Sequence, residues 1–247
     1  MSLRALRTPG APSVLLHGGR TLVFGERPAR CFALKRVADL AIAVPIALLC
    51  LPLLAFAALG VRLTSQGPIV FAQMRASSRV RRQPEGTPVV EVYPFRCFKF
   101  RTMSAEADET IHLEHVRTYI RGKAIPASAS GFKVRDDDRV TSFGWLLRRT
   151  SIDELPQLLN VIRGDMSLVG PRPVPLYEVD EYPREALERL LVKPGLTGLW
   201  QVEGRSTASF AEMVALDIRY VRSNSLASDL KLLARTVPCV LARRGAA

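Results

Sequence analysis

The sequence predicts an α+β fold that is predominantly helical, with a single domain carried on an N-terminal membrane helix that enters the bilayer, breaks and returns. Three observations support this prediction. Residues 40–61 contain no charged side chain and are long enough to reach across a hydrocarbon core. Apolar residues recur at helical spacing in the C-terminal part, for example at Phe210, Met213 and Val214. Short alternating segments between residues 69 and 103 are typical of strands.

The size, charge and cysteines of the chain narrow the classes of protein that it can belong to. A chain of 247 residues can bury one sizeable core. The net charge of +12 implies an anionic partner, such as nucleic acid, a membrane surface or a phosphorylated substrate. Nucleic acid is not expected, because zinc-finger and aromatic-basic binding motifs are absent. The 4 cysteines include no C-x-x-C pair, so we expect a reducing, cytoplasm-facing protein.

The apolar run favours a re-entrant helix over its alternatives. Lys35 and Arg36 precede it and Arg62 follows it, so both flanks are basic. Since basic flanks prefer the cytoplasm, a simple span would place one of them on the disfavoured side. Pro45 and Pro52 each remove a backbone donor, and we expect a bend at the second of them. A signal peptide is not expected, because the arm before the run is too long.

These features divide the chain into three parts. Residues 1–34 contain many arginines, glycines and prolines without periodicity, which predicts a disordered basic arm, either against anionic lipid headgroups or free in solution. Residues 35–66 form the re-entrant helix, and residues 67–247 form the folded domain. The last helices of that domain are amphipathic and either pack in the core or lie in the membrane surface with their cations toward the headgroups.

A strand-rich segment is predicted after the membrane helix. Residues 69–71 and 89–92 read as strands, separated by a basic loop at 76–88. Within residues 95–103, alternation places Lys99 on one face of a strand and the phenylalanines on the other. An ordinary amphipathic strand accounts equally well for this spacing.

The most distinctive segment combines acidic and basic side chains in a way that suits phosphoryl transfer. Ser151 and Glu154 have the spacing of a capping box, which would put Asp153 in the first turn of a helix. Positive potential there favours an ionised carboxylate and attracts phosphate. Arg148 precedes the box and Arg172 follows in a stiff Gly-Pro-Arg-Pro turn, and guanidinium groups suit phosphate oxygens. The alternative is that these carboxylates only cap a helix.

Two further charged segments have simpler interpretations. Asp136, Asp137 and Asp138 resemble the acidic cluster with which many glycosyltransferases hold a metal and a nucleotide diphosphate, but such a run is more often a turn or a cap. Residues 177–192 alternate acidic and basic side chains, which predicts a helix on the solvated surface.

A long ungapped run, TSIDELPQLLNVIRGDMSLVGPRP, resembles the signature of the bacterial sugar transferases, the monotopic polyprenyl-phosphate hexose-1-phosphate transferases. Three further stretches agree with the same family: FKFRTM, KPGLTGLWQVEGR and LDIRYVRSNSLASDLKLL. The resemblance covers residues 35–242. The family has a re-entrant membrane helix, usually with Ser-Pro at the break, where this chain has Leu51 before Pro52.

The resemblance implies a reaction and a set of site residues. A hexose-1-phosphate would pass from a UDP-sugar to polyprenyl phosphate through a phosphosugar on Asp153, with release of UMP. Asp153 would also bind Mg²⁺, and Glu154 would act as a base or as a neighbour of the metal, or simply close the capping box. The cations expected to bind substrate phosphates are Lys99, Arg148, Arg172 and Arg205.

The same resemblance implies a location and partners. The enzyme would lie on the cytoplasmic face of a bacterial inner membrane, in contact with phospholipids, and start the assembly of exopolysaccharide, capsule or O-antigen. Which hexose it uses and whether it forms homo-oligomers are not specified by the sequence. Two alternatives stay open. One is a metal-dependent glycosyltransferase that uses Asp136, Asp137 and Asp138, and the other is a non-catalytic membrane adaptor.

Overall fold

A computed structural model describes residues 13–17, 20–24, 30–82, 88–104, 110–122, 129–130, 133–134, 137–203 and 208–241. Its helices are α1 (Arg30–Leu49), α2 (Leu51–Thr64), α3 (Thr110–Ile120), α4 (Ser142–Thr150), α5 (Gln157–Arg163), α6 (Leu176–Val179), α7 (Leu199–Glu203), α8 (Phe210–Ser223) and α9 (Leu226–Leu241). Its strands are β1 (Ser13–His17), β2 (Arg20–Phe24), β3 (Val70–Arg82), β4 (Pro88–Phe100), β5 (Ala129–Ser130), β6 (Lys133–Val134), β7 (Ser167–Val169) and β8 (Gly195–Thr197). The 3₁₀ segments are Ile152–Glu154 and Arg184–Leu191. Helices predominate and the sheets are small, which confirms the predicted α+β class.

A long antiparallel hairpin dominates the main sheet. β3 and β4 pair from Val70 opposite Phe100 to Arg82 opposite Pro88, within the strand order β1-β2-β4-β3. The predicted basic loop at 76–88 is therefore wrong for its first half, which is strand. One of the arginines in this segment has a partner in the sheet, because Arg79 lies opposite Glu91 and donates to it at 2.9 Å.

Two short strands lie within the predicted basic arm. β1 pairs with β2, and β2 pairs with β4 at Leu22 opposite Glu91 and Val23 opposite Val90. These strands were not predicted from the sequence, because each is too short to show a clear alternation of apolar and polar residues. The rest of residues 1–29 lies outside the described residues.

The apolar run forms two helices with a sharp bend between them. α1 and α2 meet at Cys50 at an angle of 59°, which confirms the bend that Pro52 predicted. Taken together the two helices have the length and composition of a membrane-crossing segment, although neither has them alone, nor does any other single helix in the described part of the chain. Many of their large apolar side chains are exposed: Leu48, Leu49, Leu51, Phe56, Leu59 and Leu63.

The first turns of α1 are held against the domain by polar contacts. Lys35 forms an ion pair with Asp229 of α9. Arg36 donates to the carbonyl oxygens of Val161 and Ile162 at the end of α5, the second at 2.6 Å. Buried Asp39 accepts from the Ser167 hydroxyl at 3.1 Å and from the backbone of the next residue. This part of α1 therefore belongs structurally to the domain.

The core lies around α5, α8 and the short parallel pair β7–β8. Val161, Met166 and Met213 are each 0% exposed there. The apolar residues of α9 differ in their exposure: Leu232 is buried, whereas Leu230 and Val237 are more than half exposed. Core packing therefore accounts for only part of the apolar face of α9.

The segment predicted as a solvated helix at 177–192 is instead partly buried. It forms α6 and the 3₁₀ helix Arg184–Leu191, with Glu178 at 4% and Arg189 at 1% exposed. Arg189 donates to Asp217 of α8 at 2.5 Å and to the Tyr182 hydroxyl at 2.9 Å. The prediction was wrong because a mixed-charge pattern does not reveal that one of its charges has a buried partner in a distant helix.

Candidate active site

The two carboxylates of the signature lie on the 3₁₀ turn Ile152–Glu154, between α4 and α5. The predicted capping box is wrong. Ser151 ends α4 in the left-handed conformation, with φ of 58°, and its side chain caps no helix. Its backbone N–H closes the last turn of α4, and its carbonyl oxygen accepts from the Glu154 N–H, so Ser151 begins the short 3₁₀ turn through its backbone and without a side-chain cap. A capping box is present instead at Ser209 and Glu212 of α8.

Asp153 and Arg148 are near enough for their charges to interact. Asp153 is 7% exposed. The Arg148 guanidinium, on the last turn of α4, is half-buried and donates from Nε to the Thr102 hydroxyl at 2.9 Å. Burial lowers the pKa of Arg148, and the charge of Asp153 acts in the opposite direction by raising it. The half-buried arginine thus contributes to the positive potential at Asp153, which does not require the first turn of a long helix.

Glu154 faces a different set of groups from its neighbour Asp153. Its Oε1 accepts from Lys99 Nζ at 2.5 Å. Lys99 is the residue before the last in β4. Both residues line a cleft that Arg172 also lines. The structure therefore brings Lys99, Glu154 and Arg172 together, while Asp153 and Arg148 form an adjoining cluster outside the lining of this cleft.

Arg75 is a site residue that the sequence analysis missed. It is 7% exposed, lines the same cleft, and donates to the carbonyl oxygen of Pro173 at 2.5 Å and to Gln73 Oε1 at 2.9 Å. It thereby holds the residue that follows Arg172 and adds a cation to the cleft. The alternation of Gln73, Arg75 and Ser77 on one face of β3 is a sequence signal that could have identified it.

Closely packed glycines fix the backbone around Arg172. A Cβ atom on Gly170 would lie 2.4 Å from the carbonyl oxygen of Lys193, and one on Gly198 would lie 2.2 Å from the carbonyl oxygen of Gly170. The Gly170 N–H donates to Thr197 and the Gly195 N–H to Pro171, at 2.9 and 2.8 Å. At these positions glycine permits a close backbone approach that any side chain would block.

Arg205, which was predicted to bind phosphate, lies outside the described residues. Of the acidic run, Asp136 also lies outside them, whereas Asp137 and Asp138 are described. Asp137 binds Arg139 through both carboxylate oxygens at 2.7 Å, and this hydrogen bonding lowers its pKa. Asp138 is exposed. Asp137 is thus paired with the neighbouring Arg139, which fits a turn better than a metal site.

The residues of the site are compatible with Mg²⁺ only in a mode that uses substrate oxygens. Among the described residues, no cluster of three or more acidic, histidine or cysteine side chains could hold a metal ion. Mg²⁺ is commonly held by one or two carboxylates together with substrate phosphates and water. Asp153 can supply one such carboxylate, whereas Glu154 is paired with Lys99.

Comparison with known proteins identifies the family. The profile of the family described as "Bacterial sugar transferase" matches residues 30–243. The exopolysaccharide production protein ExoY of Rhizobium meliloti is 47% identical over 151 residues, which are 61% of this chain and 66% of ExoY. A Caulobacter vibrioides protein named UDP-glucose:undecaprenyl-phosphate glucose-1-phosphate transferase is 40% identical over 84% of this chain and 69% of its own length.

A third relative is longer. The undecaprenyl-phosphate galactose phosphotransferase of Salmonella typhimurium is 34% identical over 86% of this chain, which spans only 41% of that relative. The matched region of the family profile contains Lys99, Arg148, Asp153, Glu154 and Arg172. The chain belongs to the bacterial sugar transferase family.

Proposed function

We propose that this protein transfers a hexose-1-phosphate from a UDP-sugar to polyprenyl phosphate, through a covalent phosphosugar on Asp153 and with release of UMP. The observation that carries the proposal is a buried carboxylate whose charge interacts with that of a half-buried arginine, one residue away from an acid–lysine pair in a cationic cleft. The names of the relatives from Caulobacter and Salmonella, which include undecaprenyl phosphate, support the same acceptor class.

The proposed reaction has two displacements at one phosphorus atom. An Asp153 carboxylate oxygen attacks the sugar-bearing phosphorus of the donor, and the bond from that phosphorus to the bridging oxygen breaks, so that UMP leaves. A phosphate oxygen of the polyprenyl phosphate then attacks the same phosphorus and frees Asp153. The product is polyprenyl-diphosphate-sugar. Dividing the transfer in this way avoids bringing two anionic substrates together in one step.

The cations of the site have separate parts in this proposal. Arg148 stabilises the ionised Asp153 and the charge that develops next to it. Lys99, Arg172 and Arg75 bind the phosphates of the donor in the cleft. Arg205 is proposed as a further phosphate ligand from the family resemblance. Bound Mg²⁺, held by Asp153 and substrate oxygens, would neutralise part of the phosphate charge.

The membrane part of the proposal rests on α1, α2 and α9. The bent pair carries basic residues at both ends, which favours a re-entrant arrangement with both flanks in the cytoplasm. Exposed Leu230 and Val237 favour contact of α9 with the bilayer surface. We propose that the enzyme lies on the cytoplasmic face of the bacterial inner membrane, where a lipid-bound acceptor and a soluble donor meet.

The assignment of Asp153 is tested by trapping the intermediate. With the UDP-sugar alone, intact-mass spectrometry should show the protein with an added hexose phosphate, and UMP should appear in solution. Asp153→Asn should lose both signals and reduce turnover by at least about 10⁴-fold, because an amide cannot act as the nucleophile. Full-length protein in detergent or nanodiscs should be assayed with a panel of UDP-sugars.

Asp138→Asn is the matched control for this experiment. Asp138 is exposed and belongs to the acidic run on which the glycosyltransferase alternative depends. We expect this variant to retain the activity of the parent protein. Release of UDP instead of UMP, or loss of activity in Asp138→Asn with activity retained in Asp153→Asn, would contradict the proposal. A protein that binds the membrane but turns over none of the donors would be an adaptor.

A further inference from the structure

The cleft beside Lys99 contains polar atoms that lack a hydrogen-bond partner within the described part of the chain. They are Arg75 Nε, Gln157 Nε2 and Gln201 Oε1. Gln157 is 2% exposed and Arg75 is 7% exposed, so bulk water does not solvate these groups well. Buried polar groups are nearly always hydrogen-bonded, because removing them from water without a partner is costly. Three such atoms in one cleft require further partners, which ordered water or the polar groups of a ligand can supply.

The chemistry of the three atoms limits what this ligand can be. Arg75 Nε and Gln157 Nε2 are donors, and Gln201 Oε1 is an acceptor. A fully ionised phosphate offers only acceptors, so it can bind the two donors, but it leaves Gln201 Oε1 without a partner. The ligand must therefore present a hydrogen-bond donor next to its acceptors.

The two glutamines are held on elements that also shape the phosphate site. Gln157 is the first residue of α5, directly after the turn that carries Asp153 and Glu154. Gln201 lies in α7, and its Oε1 is so near Gly198 that a Cβ there would be only 3.2 Å away. Both amides thus lie in a cleft whose other lining residues include Lys99 and Arg172.

We propose that Gln157 and Gln201 bind the uncharged part of the nucleotide-sugar donor, whose phosphates lie against Lys99 and Arg172. This inference rests on the proposed function and adds the residues that recognise the donor. The group bound is one that both donates and accepts hydrogen bonds. In a UDP-hexose that chemistry occurs in the uracil imide with its carbonyl oxygens and in the hydroxyl groups of the hexose.

The test uses Gln157→Met and Gln201→Met, which keep the side-chain length and remove the amide. UMP is the first probe, and its Kd is measured with the purified full-length protein. The KM for a UDP-hexose accepted by the parent protein is measured from release of UMP. The matched control is Gln66→Met, because Gln66 is an exposed glutamine outside the cleft.

We expect each cleft variant to weaken donor recognition by about 3- to 10-fold, the effect of one hydrogen bond. A rise in both the Kd of UMP and the KM would assign the glutamines to the uracil. A rise in KM with an unchanged Kd of UMP would assign them to the hexose. Unchanged values of both quantities in both variants would overturn the inference.

The melting temperatures of the glutamine variants distinguish a role in ligand recognition from a role in folding. Because Gln157 Nε2 has no partner within the described residues, removal of that amide should leave the melting temperature unchanged or raise it, whereas loss of a structural amide would lower it. Gln201 Nε2 donates to the Leu196 carbonyl oxygen at 3.5 Å, so Gln201→Met should lower the melting temperature slightly. If a methionine variant unfolds, Gln→Leu at the same position repeats the test. Failure of the proposed function would show differently, since the parent protein would then release no UMP from any donor.

Discussion

Glu154 and Asp153 are adjacent in the sequence but have different surroundings, and this difference assigns them different roles. Asp153 is buried beside Arg148, which suits a nucleophile that must stay ionised. Glu154 contacts Lys99 at 2.5 Å across the mouth of the cleft, with about a third of its side chain exposed. The Ser151 side chain makes no cap, so Glu154 does not complete a capping box. We therefore expect Glu154 to act mainly by holding Lys99 in place.

A double-mutant cycle tests this role. Lys99→Met should lower kcat/KM by about 10²–10³-fold, because a cation at the substrate phosphates is lost. Glu154→Gln should lower it less, and adding Glu154→Gln to Lys99→Met should have little further effect. The kcat/KM values of the parent and the three variants give the coupling. Additive losses would mean that Glu154 acts independently of Lys99.

The exposed pair of Arg117 and Glu181, 2.8 Å apart, is the control for that cycle. It has the same kind of charges but lies outside the lining of the cleft. Its variants should leave kcat/KM unchanged.

At the scale of elements, the 3₁₀ helix Arg184–Leu191 is joined to α8 by a buried ion pair. Arg189 and Asp217 are both about 1% exposed at their side chains, and each has one polar atom without a partner within the described residues. Burial raises the pKa of Asp217 to about 6, and Arg189 opposes that rise. The folded state therefore holds a proton on Asp217 more readily than the unfolded state does, so this group lowers stability as pH rises from about 4 to about 6.

Arg189→Met should destabilise the protein by about 3–5 kcal/mol at pH 8, because it leaves a buried carboxylate without its counter-ion. The loss should be smaller at pH 5, where Asp217 can be protonated. Urea unfolding of the detergent-solubilised protein at the two pH values measures both effects. Arg189→Met combined with Asp217→Leu should recover most of the stability. An equal loss at both pH values would show that Asp217 does not titrate in this range.

The same elements show why parts of the structure could be predicted and others could not. Arg148 and Asp153 are near in sequence, so their proximity was predictable. Arg75 and Arg189 acquire their roles from residues far along the chain, Pro173 and Asp217, and no local pattern specifies such pairs. The capping box predicted at Ser151 was wrong for a local reason, because α4 ends at this residue in the left-handed conformation. The bend at Pro52 was predictable, since proline acts on its own helix.

At the scale of the whole molecule, the proposed re-entrant arrangement predicts that both ends of the α1–α2 pair are accessible from the cytoplasm. Single cysteines at Leu34 and Gln66, both exposed, should react with a membrane-impermeant maleimide from the same side. The background for this test replaces the native cysteines with alanine: Cys31, Cys50, Cys97 and Cys239. The measurement is labelling in inside-out and right-side-out vesicles. Reaction of the two positions from opposite sides would show a single crossing.

The polar contacts in the first turns of α1 have a practical consequence for anyone shortening the protein. A polypeptide that begins at residue 67 would lack Lys35, Arg36 and Asp39, and would leave the carboxylate of Asp229 without its ammonium group. The α1–α2 pair and the globular portion are thus joined by specific polar contacts, and we expect such a shortened polypeptide to be less stable than the chain that retains them. If the proposed membrane location holds, purification should begin from extracted membranes, with α1 and α2 retained.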